Sequence, residues 1–276
     1  DRWILSRMNT IVKEVTENLE KFELGIGLQK VYEFIWEQFC DWYIELVKPR
    51  LFDRQAKGRQ EALYVLNEVL KTSMKLLHPF MPFITEEVYQ HLYTQDESIM
   101  VSSWPAYQDE LHDLESENKM NTIMEAIRSI RNIRAEMKVP VARKARAVFV
   151  IEDESVGTIF AQEQSTFMRL AGVSELTVFK NRSNIPEDAV SSVIRGVEIY
   201  IPMEELLDFE KEMERLQKEK ENLDAELSRV NGKLQNESFT AKAPAAVVEA
   251  EKEKQKKYRE LYDKVIERIS FIQGKL

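Results

Sequence analysis

Apolar residues return at three- and four-residue steps over most of this chain, and the places where that rhythm breaks divide it. Ile4, Leu5, Met8, Ile11, Val12 and Val15 form one such stripe, Leu28, Val31, Tyr32, Ile35, Phe39 and Tyr43 a second, and Leu63, Leu66, Val69, Leu70 and Met74 a third. Each predicts an amphipathic helix with one face in a core. Gly25 and Gly27 are expected to separate the first two helices, Pro49 to close the second, and the polar stretch 53–59, with Gly58, to lead into the third. Pro79 and Pro82 end that helix, and a fourth is expected to begin at Thr85 or its neighbours with acids in its first turn. Antiparallel helices on short loops make an up-and-down bundle.

Farther along, Ile123, Ile127, Ile130 and Ile133 mark one side of a helix while Arg128, Arg131 and Arg134 recur three apart along another, until Pro140 stops it. The period then falls to two. Residues 145–151 alternate as a strand, 156–170 read as helical, 176–179 as a second strand, and 190–201 as a hairpin about Arg195-Gly196. Beyond 203 the helical rhythm returns in coiled-coil form: Leu206, Phe209, Met213, Leu216, Leu223, Leu227, Val230 and Leu234, with Lys220 interrupting the seam. A weaker stripe follows through Val247, Tyr258, Leu261, Val265, Ile269 and Ile272, and the chain is expected to turn near Phe239. Each arm of about 30 residues would be roughly 45 Å long. The expected fold is therefore mainly α: a helical bundle with its basic helix over 1–145, a small α/β connecting module over 146–202, and a long antiparallel coiled-coil hairpin over 203–276.

Composition narrows the chemistry. A chain of 276 residues, 43% hydrophobic and 32% charged, has enough apolar side chains for a sizeable core. No apolar run approaches the roughly 20 residues of a membrane span, and no basic-then-apolar leader opens the sequence, so a soluble, cytoplasmic chain is expected. Opening at Asp1 inside an amphipathic stripe, it reads as a fragment. The single Cys40 excludes an intrachain disulfide. His78, His91 and His112 lack metal-ligand spacing, so no metal is expected. There is no glycine-rich phosphate loop, and Asp41, Glu45 and His78 form no recognisable catalytic set, so neither catalysis nor a cofactor is expected within these residues. Net charge is −9, which disfavours indiscriminate nucleic-acid binding. Its distribution matters more: residues 122–150 hold seven basic side chains against two acidic ones, while residues 1–121 carry a net −8 and 203–276 a net −2. A polyanion has one evident strip to approach.

The turn between the two long arms, LQNESFTAKAPAAVVEAEKEK over 234–254, is more particular than a turn requires, with Phe239 beside Lys242 and Pro244. It resembles the C-terminal arm of bacterial valyl-tRNA synthetases. FCDWYIELVKP over 39–49, LLHPFMPFITEEVY over 76–89 and the following Trp104-Pro105 resemble the anticodon-binding bundle of the class I synthetases for valine, isoleucine and leucine. The resemblance implies recognition of the tRNA for valine, by a monomer, through Trp42 and Lys48 on the bundle, the row Arg128, Arg131 and Arg134, and Phe239, Lys242, Lys256 and Arg259 on the arm. It also implies that adenylation with ATP and editing belong to domains upstream, since the family's His-x-Gly-His and Lys-Met-Ser-Lys-Ser motifs are absent and Lys71 to Lys75 is a scrambled echo of the latter. The middle module is expected to act as a spacer that sets the angle of the arm, with direct RNA contact as the alternative. The heptads alone fit equally well a non-enzymatic helical adaptor that binds a protein partner through its coiled coil.

Overall fold

Helix α1 (Arg2–Glu20) buries Ile4, Met8, Ile11, Val12 and Val15, the face its apolar spacing marked out. The computed structural model describes all residues except 95, 187, 207, 208, 237–240, 242, 275 and 276, so Phe239 and Lys242 lie outside the described residues. The chain forms two compact units, one of residues 1–128 with 153–166 and the other of residues 129–152 with 167–276.

In the first unit α1 ends not at a glycine but at Phe22, whose left-handed backbone (φ 60°) lets Glu23 N–H reach Asn18 O at 2.8 Å and closes the helix. Gly25 and Gly27 consequently fall inside α2 (Leu24–Glu33) rather than between helices. That helix runs into a π-helical stretch, Phe34–Ile44, and then α3 (Glu45–Phe52). Pro49 therefore does not close the helix. It costs one helical hydrogen bond and lies inside α3, about one turn beyond the π-helical stretch, which already departs from the α ladder. α4 (Arg59–Leu77) starts from Gly58 at φ 81°, and α5 (Pro82–Gln90) starts at Pro82, three residues before the expected Thr85. Proline is favoured at that first helical position because its missing N–H has no intrahelical partner anyway. Glu86 and Glu87 thus lie past the first turn.

Two polar residues on the buried face of α1 are fully matched. Ser6 bonds Glu117, and Asn9 exchanges a pair of hydrogen bonds with the backbone of Gln108 at 2.7 and 2.8 Å. These ties fix the return of the chain along α1 before α6 (Leu114–Glu136), whose entry is capped by Asp113 through Ser116 N–H at 2.9 Å. Nearby, Tyr43 is fully buried with its hydroxyl donating to Asp1 at 2.7 Å, and burial pushes its phenol up to about 12 against the opposing pull of Arg50.

The second unit contains a four-stranded sheet in the order β2-β1-β4-β3. β1 (Ala145–Ile151) lies parallel to β2 (Val173–Phe179) and antiparallel to β4 (Val197–Pro202), and β3 (Ala189–Ile194) pairs with β4 across the Arg195-Gly196 turn, where Gly196 takes φ 77°. The expected single helix between β1 and β2 is two, α7 (Glu154–Gln162) and α8 (Gln164–Leu170). From β4 the chain passes through the short α9 (Met203–Leu206) into α10 (Phe209–Gln235) and returns in α11 (Ala245–Gln273).

α10 and α11 pack antiparallel, as cross-pairs at Glu212–Arg268, Asn231–Gln255 and Lys233–Glu251 require. Met213, Leu216, Val265, Ile269 and Ile272 form the buried seam near the root. On α10 the seam has the expected phase. On α11 Tyr258, Val265, Ile269 and Ile272 keep it, but Leu261 is 40% and Val247 44% exposed, whereas Val248, Gln255 and Tyr262 are half-buried like Tyr258 and Glu251 is buried. Continuing back from Val265 in strict three–four steps gives this set, which admits polar residues that a hydrophobicity count discards. Leu216→Ala should therefore cost about 2–4 kcal/mol of stability through the cavity it leaves, while Leu261→Ala should cost less than about 0.5 kcal/mol. Urea unfolding followed by helical circular dichroism measures both, and equal losses would mean that the seam runs through Leu261.

Candidate nucleic-acid interface

Three arginines spaced by three do not stay on one side of an α-helix. At 3.6 residues per turn each step falls short of a full turn by about 60°, so the row curls by about 120° between its ends. Arg128 and Arg131 accordingly face solvent, whereas Arg134 is 8% exposed and turned inward. The Arg128 guanidinium lies over the Trp42 ring at 5.1 Å from its centroid. Arg131 Nε donates to Leu170 O at 2.8 Å. Arg134 donates to the carbonyls of Gly172, Pro140 and Arg143 at 3.3, 3.3 and 2.6 Å, and burial lowers its pKa. The expectation that Arg134 meets phosphate directly is corrected: its donors are spent on backbone carbonyls. Gly172 is required beside it, since a Cβ there would stand 3.1 Å from Arg134 Cζ and the residue has φ 68°.

On the bundle, Trp42 is only 5% exposed and packs in the core, so its expected contact with tRNA gives way to support of Arg128. Lys48 is half-buried and ion-paired with Glu45. The open aromatic rings on the same run are Tyr32 and Trp36, 59% and 54% exposed, with centroids 6.2 Å apart. They line an apolar cleft of about 650 Å³ with Leu28, Ile35, Met81 and Ile84. Tyr32 was assigned to the core stripe and Trp36 to none. Trp36 and Trp42 both lie in the 34–44 stretch, which turns with π rather than α pitch and so defeats an α-helical reading of their faces, whereas Tyr32 lies before it in α2.

Along the hairpin, Lys256 is exposed, and Arg259 pairs with Asp263 at 3.5 Å while lying 5.8 Å from the centre of the Tyr262 ring. Arg215 hydrogen bonds hold the Glu212 carboxyl below its ordinary range, helped by Arg268 from the opposite helix. Near the outer end Lys254 and Lys233 do the same to Glu251, at 3.1 and 3.3 Å. At its root, Arg143 donates to the carbonyls of Glu204 and Glu205, and Arg146 pairs with both carboxylates. Among the described residues no cluster of His, Cys, Asp and Glu is arranged to hold a metal ion, and no helix is long and apolar enough to cross a membrane.

Sequence comparison adds an independent finding. Residues 1–149 match the family described as the anticodon-binding domain of tRNA ligase, and residues 208–273 match the one described as the valyl tRNA synthetase tRNA binding arm. The chain is similar to the valine–tRNA ligase of Clostridium acetobutylicum (50% identity over 98% of this chain) and to that of Clostridium perfringens (50% over 99%). It is likewise similar to the enzyme of Carboxydothermus hydrogenoformans, at 44% identity over 92% of the chain. It spans about 30% of the length of these curated relatives.

Removal of the buried clamp separates its role from that of the exposed arginine. Arg134→Met leaves the Arg143 carbonyl without its donor, while the Gly172 and Pro140 carbonyls keep the N–H groups of Ala145 and Arg143, and should lower stability by roughly 1–3 kcal/mol, whereas Arg128→Ala should cost about 1 kcal/mol or less. Chemical denaturation reads both, and a loss under about 0.5 kcal/mol for Arg134→Met would show that the clamp does not hold this region together.

Proposed function

The chain belongs to the family of tRNA-ligase anticodon-binding domains, here followed by a valyl-tRNA synthetase arm, and from that premise we propose that it recognises the tRNA for valine as part of a valine–tRNA ligase. The observation that carries this reading is the presence of both matches in one chain, together covering its helical bundle and its helical hairpin. We assign it recognition rather than chemistry, with the attachment of valine using ATP belonging to the ligase as a whole.

Division of labour follows the three parts 1–145, 146–202 and 203–276. Single-stranded loops are commonly read by splaying bases onto aromatic faces and bonding their edges. Tyr32 and Trp36 supply exposed rings for that purpose on the bundle, and Arg128, over the Trp42 ring, presents its charge toward solvent. The arm grips the outer corner of the tRNA through Phe239, Lys242, Lys256 and Arg259. Two contacts on one structured ligand add avidity beyond either alone. A monomer working in the cytoplasm fits this use, since the RNA itself bridges the two sites.

Filter binding at fixed moderate salt should show the chain preferring tRNA with the valine anticodon over one with an unrelated anticodon. Equal and weak binding to both, with capture of a protein partner instead, would favour the adaptor reading. Trp36→Ala and Phe239→Ala should each weaken tRNA binding by roughly 1–3 kcal/mol, the cost of one lost stacking platform. Only the first should also relax anticodon preference, because the second acts at a distant part of the RNA. Unchanged affinity in either variant removes that ring from the interface.

A further inference from the structure

At the C-terminal end of α6, the 138–144 turn and the 168–172 connection into β2 enclose an open cleft of about 620 Å³. The charged side chains lining it are Arg131, Arg134, Lys138, Lys144 and Arg169, and no carboxylate is among the lining residues. In a chain with 48 acids and 39 lysines and arginines, such a concavity departs sharply from the average surface. Its floor is fixed, because Arg134 and Arg131 are held by backbone carbonyls of the surrounding segments. Lys138 sits on the rim in a left-handed backbone conformation, φ 53°, a strain of about 1 kcal/mol that persists only where the surroundings impose it. Here the imposition is local: Lys138 N–H bonds Ala135 O at 3.0 Å, and Val139 N–H bonds Arg134 O at 2.8 Å. Glu212, the carboxylate that senses Lys138, is itself bonded by Arg215 and paired with Arg268.

A compact free phosphate is best held by converging N–H groups. This cleft instead spreads its cations around a wide mouth and includes apolar wall from Val139, Val141 and Met168. That pattern fits several phosphates joined by sugars. We propose that the cleft is a further RNA site, seating a stretch of the sugar–phosphate backbone of a folded RNA, with Lys138, Lys144 and Arg169 meeting phosphates and Arg131 and Arg134 forming the shaped floor. This deepens the tRNA reading and rests on it. It favours RNA contact over a mere spacer, and it joins Lys138 and Lys144 of the basic 122–150 strip to Arg169, which the sequence reading did not single out.

The test is a salt titration of tRNA binding by the 276-residue chain, wild type against Lys138→Gln/Lys144→Gln, with Lys119→Gln as a control elsewhere on α6. Losing two phosphate contacts should make log K against log salt shallower by about 1.4–1.8, equally for tRNAs of either anticodon, while circular dichroism stays unchanged and Lys119→Gln behaves as wild type. A double variant with the wild-type slope overturns the site even where anticodon preference persists in the wild type. Loss of anticodon preference in the wild type, with the slope still falling in the double variant, sinks the valine-tRNA reading and leaves the cleft as a general RNA site. Inorganic phosphate at millimolar concentration should not displace tRNA from the wild type beyond its effect as salt; specific displacement that is lost in the double variant would make this a small-anion site and overturn the proposal.

Discussion

A guanidinium taken out of water must have its N–H groups matched, and Arg134 meets that requirement by drawing three carbonyls from two separate stretches of chain onto one side chain. The end of α6, the turn through Pro140 and Arg143, and the entry to β2 at Gly172 are held in one arrangement as a result. Arg143, whose carbonyl is the closest of the three at 2.6 Å, extends the same chain of constraint by donating to Glu204 and Glu205 at the root of the hairpin. A lysine would not reproduce this, because its three donors sit on one compact ammonium and lack the planar, spread fork of a guanidinium. The basic cleft, the start of the sheet and the anchoring of the arm all depend on this one buried charge.

The hairpin divides its seam between two kinds of contact. Near the root Met213, Leu216, Val265, Ile269 and Ile272 supply apolar burial, the main source of stability in a two-helix arm. Farther out Leu227 and Val230 remain buried on α10, but polar pairs join them, with Asn231 bonded to Gln255 at 2.6 Å and Glu251 held between Lys233 and Lys254. Polar seam residues add little net stability, but they penalise any slip of one helix against the other. These pairs fix the register of α10 against α11.

Most helices and the Arg195-Gly196 hairpin were legible in the sequence, because a periodic stripe long enough to bury a face has few alternatives. Phase was less legible. Leu261 outranks Tyr262 in any hydrophobicity count, yet the heptad continued from Val265 selects the tyrosine, so the error came from weighing residues singly. Pro49 and the Gly25–Gly27 pair misled for another reason: both are read as breaks by α-helical rules, and neither the Phe22 cap nor the π-helical run announces itself locally. Arg134 was misplaced by treating a spacing of three as a straight row, when its drift around the axis carries the third arginine inward. The cleft lined by Lys138, Lys144 and Arg169 draws on segments about 30 residues apart in sequence, and only the fold brings them together.

Recognition of one RNA by a bundle and an arm makes a demand on the RNA itself. Hydroxyl-radical footprinting of the tRNA for valine bound to this chain reports which riboses become shielded. Binding at both ends predicts two separate protected stretches, one in the anticodon loop and one at the outer corner, each appearing over the same range of protein concentration. A single protected stretch, or diffuse weak shielding along the whole molecule, would contradict it.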